Sequence, residues 1–227
     1  MAALYIEAMK TVQPHGPYAL GGLCSGGVVA FEMAQQLRAK GEVADVVALL
    51  DSRAPNWRRR TAGWEWSFVR GFFNGLPSWL LGSAQLSRSQ WFDLIKLKIR
   101  KTRARRAASA AEDYGPRLIK EMGDLFQFSE QHRKVARAQY RALKQYQPRV
   151  YPGRLILFRA RMQPLFSAHD PDKGWESLAA GGLEIKVVPG NHLGMLQEPH
   201  VKVLAEQLRA YLDEAQTGAP EKRFLPT

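Results

Sequence analysis

The 227-residue chain has one cysteine, Cys24, so it carries no internal disulfide and no cysteine-based metal site. No stretch approaches the roughly 18 consecutive apolar residues that a membrane-spanning helix needs. The opening MAALYIEAMK lacks the basic start, apolar centre and small-residue cleavage site of a secretory leader. Together these absences point to a reducing, cytoplasmic setting. Acidic residues are scarce in one place. Between Arg53 and Arg106 there are 13 Lys/Arg against only Glu65 and Asp93, a local balance of +11 within a net charge of +12. The excess basicity therefore belongs to one segment, which also holds Trp57, Trp64, Trp66, Trp79 and Trp91, five of the six tryptophans. No nucleic-acid-binding motif accompanies that charge, and a solvated surface is its plainest reading.

What is present is an ordinary globular composition, 45% hydrophobic and 24% charged, long enough for one sizeable core and short for two. The organisation expected is one domain over 1–215, interrupted by an insertion at about 53–135, with a tail over 216–227. MAALYIEAMKTV reads as a short helix stopped near Pro14. YALGGL reads as a strand and VVAFEMAQQLRAKG as a helix, with Val29, Met33 and Leu37 apolar and Gly41 as its C-terminal cap. VADVVALLD is a buried strand by its Val and Leu content and ends on Asp51. Arg154 to Ala160 and Leu183 to Val188 are two further strands, and a last helix runs from about Pro199 to Leu212. Strands alternating with helices imply a mainly parallel sheet with right-handed crossovers, an α/β fold. The insertion then falls over the carboxyl ends of the strands, where such sheets bind ligands, and is a lid by position.

Gly22-Leu23-Cys24-Ser25-Gly26 fits the G-x-S-x-G nucleophile elbow with cysteine in the serine place. The elbow holds a nucleophile on a strained strand-to-helix turn, and glycines flank it because strand and helix backbones pass too closely for a Cβ. Ser25 does not fit as the nucleophile: that register requires glycine at position 23, which is Leu. Ser25 is instead expected to turn its backbone N–H to an oxyanion, and the positive end of the following helix favours a thiolate. The bland alternative makes Cys24 a small buried hydrophobe after a glycine-rich turn.

Asp51 ends the strand after the elbow helix, and adjacent parallel strands end at the same sheet edge, so its carboxylate is expected near Cys24. Its alternative role is a turn cap in LLDSRAP. Asp170 and Asp172, in SAHDPDKGW, are the other candidate acids, though turn formation around Pro171 accounts for both. His192 follows the last strand in VVPGNHLGM, giving the chain order nucleophile, acid, histidine. His15, His132, His169 and His200 lack that context. In this arrangement His192 takes the thiol proton, Asp51 orients the imidazole, and Cys24 attacks an acyl carbonyl. The resulting thioester stays more activated than an oxoester, so water or an internal nucleophile can accept the acyl group.

GPYALGGLCSGGVVAFEMAQQLRAKGE, VVALLDS, YPGRLILFRARMQPLF, DPDKGW and VVPGNHLGMLQEPHVKVLAEQL together resemble the thioesterase domains that end non-ribosomal peptide and polyketide synthetases. The resemblance implies an α/β-hydrolase fold with a helical lid, a nucleophile at Cys24, an acid at Asp51 and a base at His192. Cysteine at the first position is a minority variant. It also implies that substrates arrive as thioesters on the phosphopantetheine arm of a carrier domain, with no cofactor or metal held by the domain itself. An acidic carrier would then be steered by the basic segment. Family members have two or three strands before the helix with which this sequence opens, so the resemblance implies an N-terminally truncated member. The loop after one of those strands supplies a second oxyanion N–H, and losing such a donor costs roughly 10²–10³ in rate. Two other readings stand beside release of an acyl or peptidyl chain. One is a small-ester or lactone hydrolase of the dienelactone type, and the other is an inactive carrier-binding remnant.

Overall fold

A computed structural model describes residues 1–55, 129–163 and 170–217. The chain divides into two units, Met1–Gly75 with Pro148–Thr227, and Leu76–Gln147. Most of the expected insertion, residues 56–128, lies outside the described residues, as do 164–169 and 218–227.

The first unit is built around four strands: β1 (Tyr18–Leu23), β2 (Ala44–Leu50), β3 (Leu155–Ala160) and β4 (Leu183–Val188). They lie in the order β1-β2-β3-β4 and every pairing is parallel. Helices cover both faces, so the central strands bury both sets of alternating side chains. Val46, Ala48, Ile156, Phe158 and Ala160 pack with Val188, Met195, Leu204 and Tyr211. Val47, Leu49, Leu155 and Leu157 point the other way and are equally buried. This explains why β2 and β3 read as continuous apolar runs rather than as alternation.

Two helices lie before β2. The first is α1 (Ala2–Val12) and the second is α2 (Ser25–Ala39), which packs against β1 and β2. The buried stripe of α2 includes Val28, Phe31, Ala34 and Leu37, together with Ala30 and Met33. Val29, expected in that stripe, is only half-buried. Gly41 ends the helix as expected. It has φ +77°, its N–H donates to Arg38 O at 3.0 Å, and Glu42 N donates to Leu37 O at 3.0 Å. That pair of bonds is the Schellman closure, which needs a left-handed residue where Gly41 stands.

The second unit contributes one described helix, α3 (Glu130–Gln145). Ser129 caps it, its hydroxyl accepting from His132 N at 3.3 Å. The helix runs through the boundary expected at about 135, because no glycine or proline interrupts the chain before Pro148. The last helix, α4 (His200–Thr217), belongs to the first unit and extends five residues past the expected end at Leu212. Asp213 to Thr217 contain no breaker, and Gly218 is the first residue that disfavours helix.

Candidate active site

The carboxyl edge of the sheet collects the candidate residues, and backbone hydrogen bonds set their spacing. Cys24 N donates to Leu50 O at 2.9 Å, and Asp51 N donates to Phe158 O at 2.7 Å. Each strand end is thereby tied to its neighbour, so Cys24 and Asp51 leave the sheet side by side. Beyond β4, Met162 N donates to Gly190 O at 3.0 Å. The Asn191 side chain then accepts from Leu193 N at 3.1 Å and Gly194 N at 2.8 Å, closing the turn that carries His192.

Cys24 has φ 56° and ψ −120°, a conformation that costs an L-residue roughly 1–3 kcal/mol and is the geometry of the elbow. Cys24 is an exposed residue of this turn. The glycine requirement around it differs from the expectation in one respect. A Cβ on Gly22 would lie 2.2 Å from the Gly26 carbonyl carbon, so position 22 admits only glycine. A Cβ on Gly26 meets nothing within 4 Å. The second crowded glycine is Gly27, whose Cβ would lie 2.5 Å from the Ser52 Cβ. The motif match at position 26 thus marks where the helix backbone passes Gly22.

Asp51 is buried, and its carboxylate does not cap its own turn. Oδ2 accepts from His192 Nδ1 at 2.7 Å, and Oδ1 accepts from Ala160 N at 3.0 Å and Gln163 Nε2 at 3.2 Å. The Lys173 ammonium, itself buried, pairs with the same Oδ1. Burial alone pushes the Asp51 carboxyl up. The hydrogen bond from His192, the charge of and hydrogen bond from Lys173, and the Ala160 N–H outweigh it and hold the carboxyl at about 2. With His192 Nδ1 committed to Asp51, Nε2 is the ring nitrogen left for Cys24. Hydrogen bonding to Asp51 and then to the Cys24 thiol raises His192 to about 9, against the opposing effect of burial. The hydrogen bond from His192 draws the thiol down, burial opposes it, and the imidazolium charge and the Ser25 N–H add to the lowering. A thiolate–imidazolium pair backed by an ionised carboxylate is the state these contacts favour.

The alternative acids sit elsewhere. Asp172 Oδ2 accepts from Glu176 N at 3.2 Å, which is the turn-forming role. Asp170 lies 3.8 Å from Arg53 Nη1, and burial followed by the neighbouring Asp172 pushes it up to about 6. His200 opens α4, His132 bonds Ser129, and His169 lies outside the described residues. Sequence reasoning missed Lys173 and Gln163. A lysine in the turn DPDKG resembles a solvated surface residue, and only the anchoring of the neighbouring Trp175 shows otherwise. Among the described residues, no group of three or more His, Cys, Asp or Glu could hold a metal ion, and no helix is long and apolar enough to cross a membrane.

Residues 1–90 match the thioesterase domain family. Over 98% of its length the chain is 28% identical to chondramide synthase cmdD of Chondromyces crocatus, of which it spans 6%. Over 36% of its length it is 40% identical to polyketide synthase 1 of Metarhizium brunneum, of which it spans 4%. Among solved structures, the thioesterase domain of NocB, in covalent complex with a fluorophosphonate nocardicin G analogue, superposes with a TM-score of 0.58 at 23% identity. That match covers 93% of this chain and 73% of the other, and it shows that the two share the α/β-hydrolase-like fold. The sequence relatives are large synthases, of which this chain corresponds to a small part.

Proposed function

We propose that the chain is a thioesterase that releases an acyl or peptidyl chain from a phosphopantetheine carrier, by hydrolysis or cyclisation, through an acyl-Cys24 intermediate. The observation that carries this reading is the His192 Nδ1–Asp51 Oδ2 hydrogen bond at the sheet edge where the Cys24 elbow also ends. The family match over residues 1–90 and the relation to synthases support the thioester substrate class.

In this mechanism the Cys24 thiolate attacks the thioester carbonyl carbon. The negative charge that develops on the carbonyl oxygen is stabilised by backbone donors at the start of α2, the Ser25 N–H among them. Collapse breaks the carbon–sulfur bond to the pantetheine thiol, and the His192 imidazolium protonates the departing thiolate. Neutral His192 then takes a proton from water, or from a hydroxyl or amine of the acyl chain itself, as that nucleophile attacks the Cys24 thioester. The Cys24 thiolate leaves and the imidazolium is restored. Asp51 keeps Nδ1 protonated throughout, so Nε2 alone faces the reacting atoms. The basic 53–106 segment is read as the docking surface for an acidic carrier, whose phosphate adds to the attraction.

Incubation with an acyl-pantetheine or an acyl-carrier thioester tests this reading. Intact-mass analysis should show an acyl adduct on Cys24 that decays with release of product. Absence of any adduct with carrier binding retained would instead identify an inactive carrier-binding remnant. Turnover of a free lactone, without turnover of a carrier thioester, would identify a dienelactone-type hydrolase.

A further inference from the structure

Lys173 is 4% exposed, an unusual position for an ammonium group, and its surroundings are built to hold it there. The Lys173 ammonium pairs with Asp51 Oδ1 and lies 3.4 Å from Asp51 O. Its turn is anchored on both sides. Trp175, fully buried, packs at a tilt with its ring centroid 5.0 Å from that of Phe31 of α2 and donates through Nε1 to Ser52 O at 3.1 Å. Ala54 N donates to Lys173 O at 3.0 Å, and Lys173 N donates to Asp170 O at 3.3 Å.

The backbone supplies a second, independent observation. Among the described residues the non-glycine positions with positive φ are Cys24 (56°), Asp51 (44°) and Lys173 (51°). Strained φ values collect where the surrounding structure over-determines a functional geometry, and here two of the three carry the nucleophile and the acid. The third carries the lysine that touches the acid.

We propose that Lys173 is a positioning residue of this site, a buried cation that fixes the Asp51 carboxylate and sets the proton balance of the Cys24–His192 pair through it. The charges then alternate along one line: Cys24 thiolate, His192 imidazolium, Asp51 carboxylate, Lys173 ammonium. Two oxygens of one carboxylate face two cations, so the ring held by Oδ2 cannot turn without disturbing the ammonium held by Oδ1. The other charges that act on Lys173 are Arg53 and Arg159, both of which oppose a further cation, so Asp51 is what holds it ionised. The group facing Cys24 is His192, with Asp51 behind it.

The sign of the effect follows from charge. Removing the cation leaves the Asp51 negative charge uncompensated at the pair. Forming a thiolate becomes harder and losing the imidazolium proton becomes harder, so both limbs of the pH profile move upward. At an effective dielectric of about 20, a unit charge about 10 Å away shifts a titration by roughly one pH unit.

This inference deepens the proposed thioesterase reading, yet it can be tested without thioester turnover. Cys24 is the chain's one cysteine, so the rate of iodoacetamide alkylation reads its thiolate directly. In the full chain, Lys173→Met keeps the length and the φ requirement while removing the charge. Lys173→Gln keeps a donor for Asp51 and carries the test if the methionine variant does not fold. Lys173→Arg keeps the charge. The midpoint of the alkylation profile should rise by about one pH unit in the neutral variants and stay at the wild-type position in Lys173→Arg. In thioester hydrolysis the two limbs should rise together with KM unchanged. A folded neutral variant with unmoved alkylation midpoints would overturn the proposal, leaving Lys173 a purely structural residue. Absence of thioester turnover in a chain that shows the alkylation shift would overturn the thioesterase reading alone.

Discussion

Two carboxylates at opposite ends of the same sheet are both held at about 2, and they reach that value in different surroundings. Asp51, at the carboxyl edge, has a side chain only 4% exposed and lies among His192, Lys173 and the Ala160 N–H. Glu184, near the amino edge on β4, is 31% exposed. Burial raises it, and its contacts with Lys186 and Arg154 bring it down. Arg154 and Lys186 also lie 5.3 and 5.9 Å from the centroid of the Tyr211 ring. Equal acidity therefore does not mean equal consequence. At the amino edge, water competes for every charge and the network tolerates rearrangement. At the carboxyl edge Lys173 has no solvent to turn to, so it stays on the carboxylate, whose field acts on the neighbouring imidazole. The same four strands thus present one end that carries chemistry and another that carries surface charge.

The hardest test of this contrast is Asp51→Asn. Loss of the charge that holds the imidazole should reduce thioester hydrolysis by roughly 10³–10⁴-fold, judged by the cost of the same change in serine-protease triads. The substitution also leaves the Lys173 ammonium buried without a counter-charge, which typically destabilises by about 3–5 kcal/mol. Urea unfolding of the variant beside the wild type reads that second loss. A variant as stable as the wild type would show that Lys173 finds water, and the carboxyl edge would then resemble the amino edge.

A steric test of the carboxyl edge follows from the glycines. Gly22→Ala drives a methyl to 2.2 Å from the Gly26 backbone, which cannot withdraw without moving α2. A loss of about 3 kcal/mol is expected, within the overpacking range. Gly26→Ala enters open space on a helix and should change stability by less than about 1 kcal/mol, in the stabilising direction. Equal losses for the two would show that the elbow is crowded on both sides.

Acid titration separates the two edges again. The Asp51 pKa falls from 3.8 in the ordinary carboxyl to about 2 when folded, so its contribution is fully present above about pH 4 and is lost as pH falls toward 2. The linkage amounts to about 2 kcal/mol. Glu184 shifts in the same direction, but its share is discounted by solvent screening to under about 1 kcal/mol. Unfolding midpoints between pH 4 and 2, taken at low and at 1 M salt, distinguish them. The part that salt removes belongs to the amino edge, and the part that persists belongs to Asp51.

The strands, their parallel order and the place of Cys24 were legible from the sequence because each rests on local chemistry. Val and Leu runs mark strands buried on both faces, and Gly41 marks a left-handed cap. Asp51 and His192 were legible as residues that end strands at a shared edge. Lys173 was not, since its burial depends on Trp175 reaching Phe31 and Ser52 across more than 120 residues of chain. Gly26 was expected to be crowded and is not, while Gly27, given no role in the motif, is, for a similar reason. The motif records which positions are glycine, while the crowding depends on Ser52, which belongs to the segment after β2. The end of α4 was set too early, at Leu212, because nothing local marks its continuation, whereas the helix runs to Thr217 and Arg154 lies 3.9 Å from Glu214.

The smallest expected effect lies at the amino edge. Glu184→Gln removes the charge that Arg154 and Lys186 share but leaves an amide able to accept from either. Both cations are partly exposed, with side chains 31% and 40% accessible, so water replaces what the carboxylate supplied. Exposed ion pairs are worth roughly 0–1 kcal/mol, and the change should fall inside that range in urea unfolding, shrinking further in high salt. Thioester turnover and the Cys24 alkylation profile should not move, because among the described residues no side-chain hydrogen bond or ion pair joins Glu184 and its partners to Asp51 and its partners. A shift in the alkylation midpoint on Glu184→Gln would mean that charge at one end of the strands is felt at the other. The alternating line through Lys173 would then be one part of a wider field rather than a local device.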